Sequence, residues 1–295
     1  MSALSGVSVA GVLYIVPTPI GNLEDITERA RRVLGQVAII AAEDTRRCRK
    51  LLQLLDIPAP HIIALHEHNE AAAAGGVLKL LDDGQDVALV SDAGTPLLSD
   101  PGHLLLRELW ARAEVPTGQP KVVPLPGPSA ITTLLCACPL PLNQFSFDGF
   151  LPAKAQPRKQ RLKALLSAES ATVIFEAPHR IEATLSLVAE LAPARRVFVG
   201  RELTKLHESL QLGTAADLLV RMRADSAQKG EFVLVIEGQP AAPQESLPQV
   251  QRLIEIIGEE IPPAQTARLV AKITGRRKSE IYDLAVELSI SRDAD

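Results

Sequence analysis

The sequence predicts an α/β protein of two domains, the first with a mostly parallel sheet and the second with a mixed one, followed by a small C-terminal helical module. Three observations predict it. Short apolar runs alternate with stretches of helical period, a rhythm that builds a parallel sheet covered on both faces. Pro139-Leu140-Pro141 breaks the rhythm and divides the chain into a first domain at 1–140, a second at 141–238, and a linker with helices at 239–295. Two loops rich in Gly and Pro, Ser91 to Gly102 and Pro126 to Ala130, each follow an apolar strand. Backbone approaches a ligand closely in such loops, at the strand ends where open α/β sheets bind, so together they imply a pocket for a small organic cofactor.

The elements follow in order. Leu13 to Val16 reads as a strand ending at Pro17, and Ile26, Ala30, Val33 and Leu34 mark one face of a helix that Asp25 or Thr27 can cap. Val37 to Ala41 is a strand, the leucines from Leu51 to Leu55 a helix ended by Pro58 and Pro60, and Ile62 to Leu65 a strand. Asn69 to Leu81 is a helix stopped by Gly84; Val87 to Val90 is a strand, Leu97 to Ala113 a helix, and Val122 to Leu125 a strand. Ser129 stands where it can cap a helix running to Ala137. In the second domain the strand candidates are Phe145 to Phe150, Thr172 to Phe175, Arg196 to Val199, Ser209 to Leu212 and Phe232 to Ile236. Helices are expected at Ile181 to Leu191 and around Lys205, and Lys229-Gly230 reads as a tight turn that implies some antiparallel pairing. Beyond a Pro/Gln/Ala linker from Gln239 to Pro248, three short helices are expected at Val250 to Ile257, Ala264 to Ile273 and Glu280 to Leu288.

Composition narrows the function. With 295 residues, 46% hydrophobic and only 3% aromatic, the cores must be made of Leu, Val, Ile and Ala. A net charge of −4 argues against a surface coated throughout for nucleic acid but allows a local basic face. The three cysteines, Cys48, Cys136 and Cys138, have neither metal nor disulfide spacing; a reducing compartment is expected, with Cys136 and Cys138 buried. The start, Met1 to Gly11, lacks a basic leader and no apolar stretch has the length of a bilayer span, so a cytoplasmic protein is expected. No Gly-x-Gly-x-x-Gly follows a strand and no Walker A loop is present, which disfavours the usual NAD and ATP sites.

Charged runs gather at the strand ends. Pro17-Thr18-Pro19-Ile20-Gly21-Asn22-Leu23 is a stiff turn after the first strand, and Glu43-Asp44-Thr45-Arg46 follows the second and leads into Arg47-Cys48-Arg49-Lys50. Capping of a helix explains part of that motif, while the cations beside the pocket point to an anionic partner. Lys154 to Lys163 carries five cations and no acid, and Arg195, Arg196, Arg201 and Arg276-Arg277-Lys278 add more, a segregation suited to phosphates. Phe175 to Arg180 and Arg201 to Glu208 each bring acid, base and cation to one strand end, which would make a substrate cleft if they faced the Gly/Pro pocket. Neither His179, His207 nor His66-Glu67-His68 has metal-ligand spacing, so no metal is expected.

These runs, with Lys229-Gly230-Glu231-Phe232, occur in an order that resembles the ribosomal RNA small subunit methyltransferase I family of the tetrapyrrole methylase superfamily, over about Leu13 to Gly238 and more loosely in the C-terminal helices. The resemblance implies S-adenosylmethionine in a cleft between two α/β domains, 2′-O-methylation of a cytidine ribose in the decoding region of 16S rRNA within the small ribosomal subunit, and a homodimer. The alternatives are a tetrapyrrole-type small-molecule methyltransferase and a non-catalytic RNA-binding ribosome-assembly factor. The resemblance and the small residues together assign the cofactor to Pro17, Asp92, Ala93, Gly94, Pro96, Ser129, Ala130, Ala177 and Pro178. The catalytic candidates are Glu43, Asp44, Arg46, Glu202, Lys205 and His207; the Glu202/Lys205 pair is preferred on the expectation that neighbouring cations lower the lysine's pKa. The stretch Glu114 to Pro120 departs from the family pattern as an expanded rim loop.

Overall fold

The computed structural model describes residues 10–112, 121–224, 229–240 and 247–292, so Glu114 to Pro120, the first nine residues and 241–246 of the linker lie outside it. The chain divides into two compact units after Gln239. The first unit holds both sheets. Strands β1 (Val12–Ile15), β2 (Ile39–Ala42), β3 (His61–Ala64), β4 (Val87–Val90) and β5 (Lys121–Pro124) form a parallel sheet in the order β3-β2-β4-β1-β5. Alternation along β2 explains its two faces. Ile40 and Ala42 pack with Ala30, Val33 and Leu34 of helix α1 (Glu28–Gln36) and Leu52 of α2 (Thr45–Leu54). Ile39 and Ala41 pack with Val77, Leu78 and Leu81 of α3 (Glu70–Asp82) and Leu105 and Leu109 of α4 (His103–Arg112). Each fully buried leucine contributes roughly 1.5–3 kcal/mol, which is how a chain poor in aromatics stays folded.

Strands β6 (Phe145–Phe150), β7 (Ala171–Glu176), β8 (Arg196–Arg201), β9 (Ser209–Thr214) and β10 (Phe232–Ile236) form the second sheet, ordered β6-β7-β10-β8-β9. Only β6 and β7 are parallel; β10 runs antiparallel to both its neighbours, and β9 to β8. Helices α6 (Ala155–Leu166), α7 (Ile181–Leu191) and α8 (Ala215–Ala224) cover one face, and α5 (Ala130–Cys136) covers the other with Ile131 and Leu134. The second unit is three helices, α9 (Leu247–Gly258), α10 (Pro263–Thr274) and α11 (Lys278–Arg292), around Val250, Ile254, Val270 and Ile281. Gly275 ends α10 in the left-handed conformation, at φ +70°, where a side chain would be strained.

The local chemistry departs from expectation in three places. The helix expected from Leu97 starts only at His103, because Leu97 and Ser99 sit at φ +77° and +72°, outside any helical turn. No helix forms around Lys205: residues 202–208 are a loop between β8 and β9, with Glu202 and Thr204 left-handed. Cys136 is exposed, since α5 turns Ile131 and Leu134 to the core instead; Cys138, beyond the helix, is half-buried against that core, and Cys48 is the buried one.

Candidate active site

Parallel strands end together, so the turns after β1, β2, β4 and β5 share one edge of the first sheet. Adjacent strands β1 and β4 are followed by helices on opposite faces, α1 and α4, which opens a crevice between their turns. Three turns are locked together there. Thr18 and Gly94 exchange both backbone hydrogen bonds at 2.9 Å. The Thr95 hydroxyl donates to the Pro128 carbonyl at 2.9 Å. Gly127 lies so close to Pro17 that a Cβ there would come within 2.7 Å of the proline Cβ. Gly94 needs its φ of +79° to make the turn, and a side chain would press on Ile20.

Against this edge stand the end of β7 and the start of β10, paired through Phe232 and Glu176. Between them is a cavity of about 410 Å³. Eight of the residues assigned to the site from sequence line it: Glu43, Asp92, Ala93, Gly94, Ser129, Ala130, Ala177 and Pro178. Pro17 and Pro96 do not; they are buried under the turns and shape them. Asp44 and Arg46 stand aside at the start of α2. Asp44 caps the helix, accepting the Arg46 N–H at 2.7 Å, and the Arg46 side chain is 87% exposed and pairs with Asp44. Capping and the arginine hold the Asp44 carboxyl below its usual range.

The Glu202/Lys205 pair is also off the cavity wall. Lys205 Nζ donates to Glu202 Oε1 at 2.9 Å and to Glu231 Oε2 at 3.0 Å, and Glu231 does line the cavity. Partial burial pulls the amine's pKa down, but the two carboxylates outweigh it and the net shift is upward. The expectation of a lysine lowered by cations is therefore corrected: its neighbours are acids, and it stays charged. Burial likewise opposes ionisation of Glu202, yet Lys205 and the Glu231 N–H bring its pKa below the usual value. His207 is exposed on the same loop. Near Ala177, Glu176 is buried and pairs with Arg180 Nε at 3.1 Å, accepts the Thr184 hydroxyl at 2.5 Å, and so anchors the turn after β7.

The site assignment from sequence left out four charged members of the wall: Arg47, Asp100, Glu176 and Glu231. Arg47 pairs with Asp92 at 3.1 Å, Asp92 accepts the Asp44 N–H at 3.1 Å, and the Asp92 N–H donates to Glu43 at 3.1 Å. Burial raises the Glu43 pKa against the pull of that N–H. Asp100 is pushed up to about 6, first by burial and then by Glu43, against the pull of the Ser91 hydroxyl. Arg47 on the wall and Arg46, Arg49 and Lys50 outside it are all exposed, while Cys48 between them faces the core. The interior wall is thus acidic and the rim basic. Lys154, just before α6, and Lys163 on it are exposed, while Lys159 pairs with Glu190 and Arg161 with Asp148.

A model of the Tetrapyrrole (Corrin/Porphyrin) Methylases matches residues 12–219, and one described as the RsmI C-terminal HTH domain matches residues 244–289. Ribosomal RNA small subunit methyltransferase I of Escherichia coli O157:H7 is 43% identical over 279 residues, covering 94% of this chain and 95% of that protein. The protein of the same name from Xylella fastidiosa (strain Temecula1) is 42% identical over 277 residues, covering 93% and 99%. Among solved structures, uroporphyrin-III C-methyl transferase from Thermus thermophilus complexed with S-adenyl homocysteine matches with a TM-score of 0.51 at 15% identity, over 78% of this chain and 98% of that one. Diphthine synthase matches with a TM-score of 0.55 at 11% identity, over 77% and 90%. Likeness at that identity speaks for the fold.

Proposed function

The chain belongs to the ribosomal RNA small subunit methyltransferase I family, and from that premise we propose that it 2′-O-methylates a cytidine ribose in the decoding region of 16S rRNA, within the small ribosomal subunit. S-adenosylmethionine is the methyl donor of this family, and the cavity fits it. Its volume is in the range of organic-ligand pockets. Its wall pairs apolar Ile20, Ile131 and Val233 with the carboxylates of Glu43 and Asp92, a set that suits a planar base on one side and a cationic donor on the other. When bound, the donor supplies a methyl group activated by a positively charged sulfur.

The chain's own residues do the rest. Asp92, Ala93, Gly94, Ser129, Ala130, Ala177 and Pro178 hold the donor through backbone groups and short side chains, and the locked turns fix its position before the substrate arrives. Arg46, Arg49 and Lys50 attract RNA phosphates to the rim, and the acidic interior repels them, so a neutral ribose hydroxyl enters where a phosphate does not. The acidic interior inside a basic rim is the observation that carries the proposal. Exposed Arg277 and Lys278, at the start of α11, give the C-terminal module a phosphate-binding edge of its own. The first sheet as donor domain at 1–140, the second at 141–238 and the module at 239–295 belong to this reading, as do the homodimer that the family resemblance implies and the cytoplasmic setting expected from the sequence.

The test is incorporation of labelled methyl into purified small ribosomal subunits, followed by alkaline hydrolysis, which a 2′-O-methylated linkage survives. Label in an alkali-resistant dinucleotide containing cytidine supports the proposal. Label in a mononucleotide refutes ribose methylation; transfer to a tetrapyrrole instead of the subunit favours the small-molecule enzyme. Donor binding that calorimetry fails to detect favours a non-catalytic RNA-binding factor.

A further inference from the structure

Of the carboxyl groups that line the cavity, three come from the first sheet, Glu43 after β2 and Asp92 and Asp100 on the turn after β4, and they are unequally engaged. Glu43 accepts the Asp92 N–H, and Asp92 accepts the Asp44 N–H and pairs with Arg47. Asp100 is met by the Ser91 hydroxyl and, among the described residues, by no amide or guanidinium. Ser91 Oγ also lies 3.3 Å from the Ala93 carbonyl, so its single hydrogen is shared between that carbonyl and Asp100.

The turn that carries Asp100 is held from both sides. Leu97 and Ser99 keep left-handed backbones that a loose loop would relax. Glu70 of α3 accepts the N–H groups of Gly102 at 2.9 Å and Leu104 at 2.8 Å. From the second sheet, Gly149 approaches Ser99 so closely that a Cβ would come within 2.8 Å of the serine hydroxyl. Rigid support of an otherwise uncommitted carboxylate is what a proton-transfer group requires.

We propose that Asp100 is the catalytic base: its carboxylate takes the proton of the substrate hydroxyl during methyl transfer. The inference rests on the ribose reading above. The O–H bond breaks and its proton passes to Asp100; the hydroxyl oxygen bonds the methyl carbon; the carbon–sulfur bond breaks with its electron pair left on sulfur, which becomes a neutral thioether. The proton on Asp100 then leaves to solvent. The charged groups that share the cavity wall with Asp100 are Glu43 and Arg47 on the β2–α2 side, Asp92 on its own turn, Glu176 at the end of β7 and Glu231 before β10, with Glu70 behind the turn. Burial first, then Glu43 and Asp92, bring the group to about 6, near working pH.

The experiment compares wild type with Asp100→Asn and Glu43→Gln in single-turnover methylation of small subunits across pH. It is paired with calorimetry of S-adenosylhomocysteine and a ¹³C NMR titration of the aspartate carboxyls. The wild-type rate should rise with pH and level off above about 6. D100N should lose roughly 100-fold or more in rate and lose that inflection, while binding S-adenosylhomocysteine within about threefold of wild type. E43Q should keep an inflection, moved to lower pH by the loss of the Glu43 charge. D100N that transfers within about threefold of wild type, or an Asp100 carboxyl that titrates in the ordinary aspartate range, overturns the assignment. Binding lost in step with rate makes Asp100 a donor-holding residue and also overturns it. Wild-type protein that leaves no methyl on ribose overturns the ribose reading itself, and the base assignment with it.

Discussion

Glu70→Ala tests whether one carboxylate holds the turn that carries Asp100. A single oxygen, Glu70 Oε1, accepts two N–H groups that the first turn of α4 leaves without helical partners, at 2.9 and 2.8 Å. It also sets negative charge at the positive end of the helix. A cap of this kind is worth about 0.5–2 kcal/mol, and the charge and the second bond set the expectation at the upper end, about 2 kcal/mol. For a unit of this size that corresponds to a fall of roughly 4–8 °C in Tm. Glu70→Gln keeps the oxygen and drops the charge, so about half the loss is expected. Urea denaturation and thermal melting of both variants give the numbers. A Glu70→Ala loss under about 0.5 kcal/mol, the range of ordinary surface substitutions, would refute the claim that this side chain caps α4.

Arg180→Ala leaves the buried Glu176 carboxylate without its cation, and equilibrium unfolding should register a loss of about 3–5 kcal/mol; a loss below about 1 kcal/mol means that the Thr184 hydroxyl and the Ala177 N–H satisfy Glu176 without it. Gly127→Ala forces a Cβ to within 2.7 Å of Pro17, so the turns must part, and calorimetry should find S-adenosylhomocysteine bound about tenfold more weakly; unchanged affinity would mean that the contact does not shape the cavity. Asp100→Asn should alter stability with pH. The folded carboxyl holds its proton up to about 6, above the unfolded value of 3.8, so the native state binds more protons in that window and wild-type stability falls as pH rises through it. D100N lacks that loss and should be the more stable protein above pH 6, by about 1 kcal/mol once solvent screening is allowed for, converging with wild type below pH 4; parallel profiles would be inconsistent with a raised Asp100.

The sequence by itself determined the elements and the first sheet. Apolar runs such as Val87 to Val90 can only be strands buried on both faces, and the helical stretches between them force parallel connections. It also marked the small-residue turns at Asp92 to Gly94 and Ser129 to Ala130, because scarcity of side chain is a property of composition. The sequence did not reveal that Leu97 and Ser99 would leave the helical pattern, since their left-handed backbones are imposed by what surrounds the turn: Glu70 thirty-two residues before Gly102, and Gly149 from the other sheet. Nor could it separate Asp100, on the cavity wall, from Lys205, one contact behind it. Proton affinity depends on burial and on which charges face a group across space; Lys205 has two acids beside it and stays charged, whereas Asp100 has burial and Glu43 and holds its proton longer. Those neighbours come from strands far apart in the chain, so only the tertiary structure decided which acid is poised for chemistry.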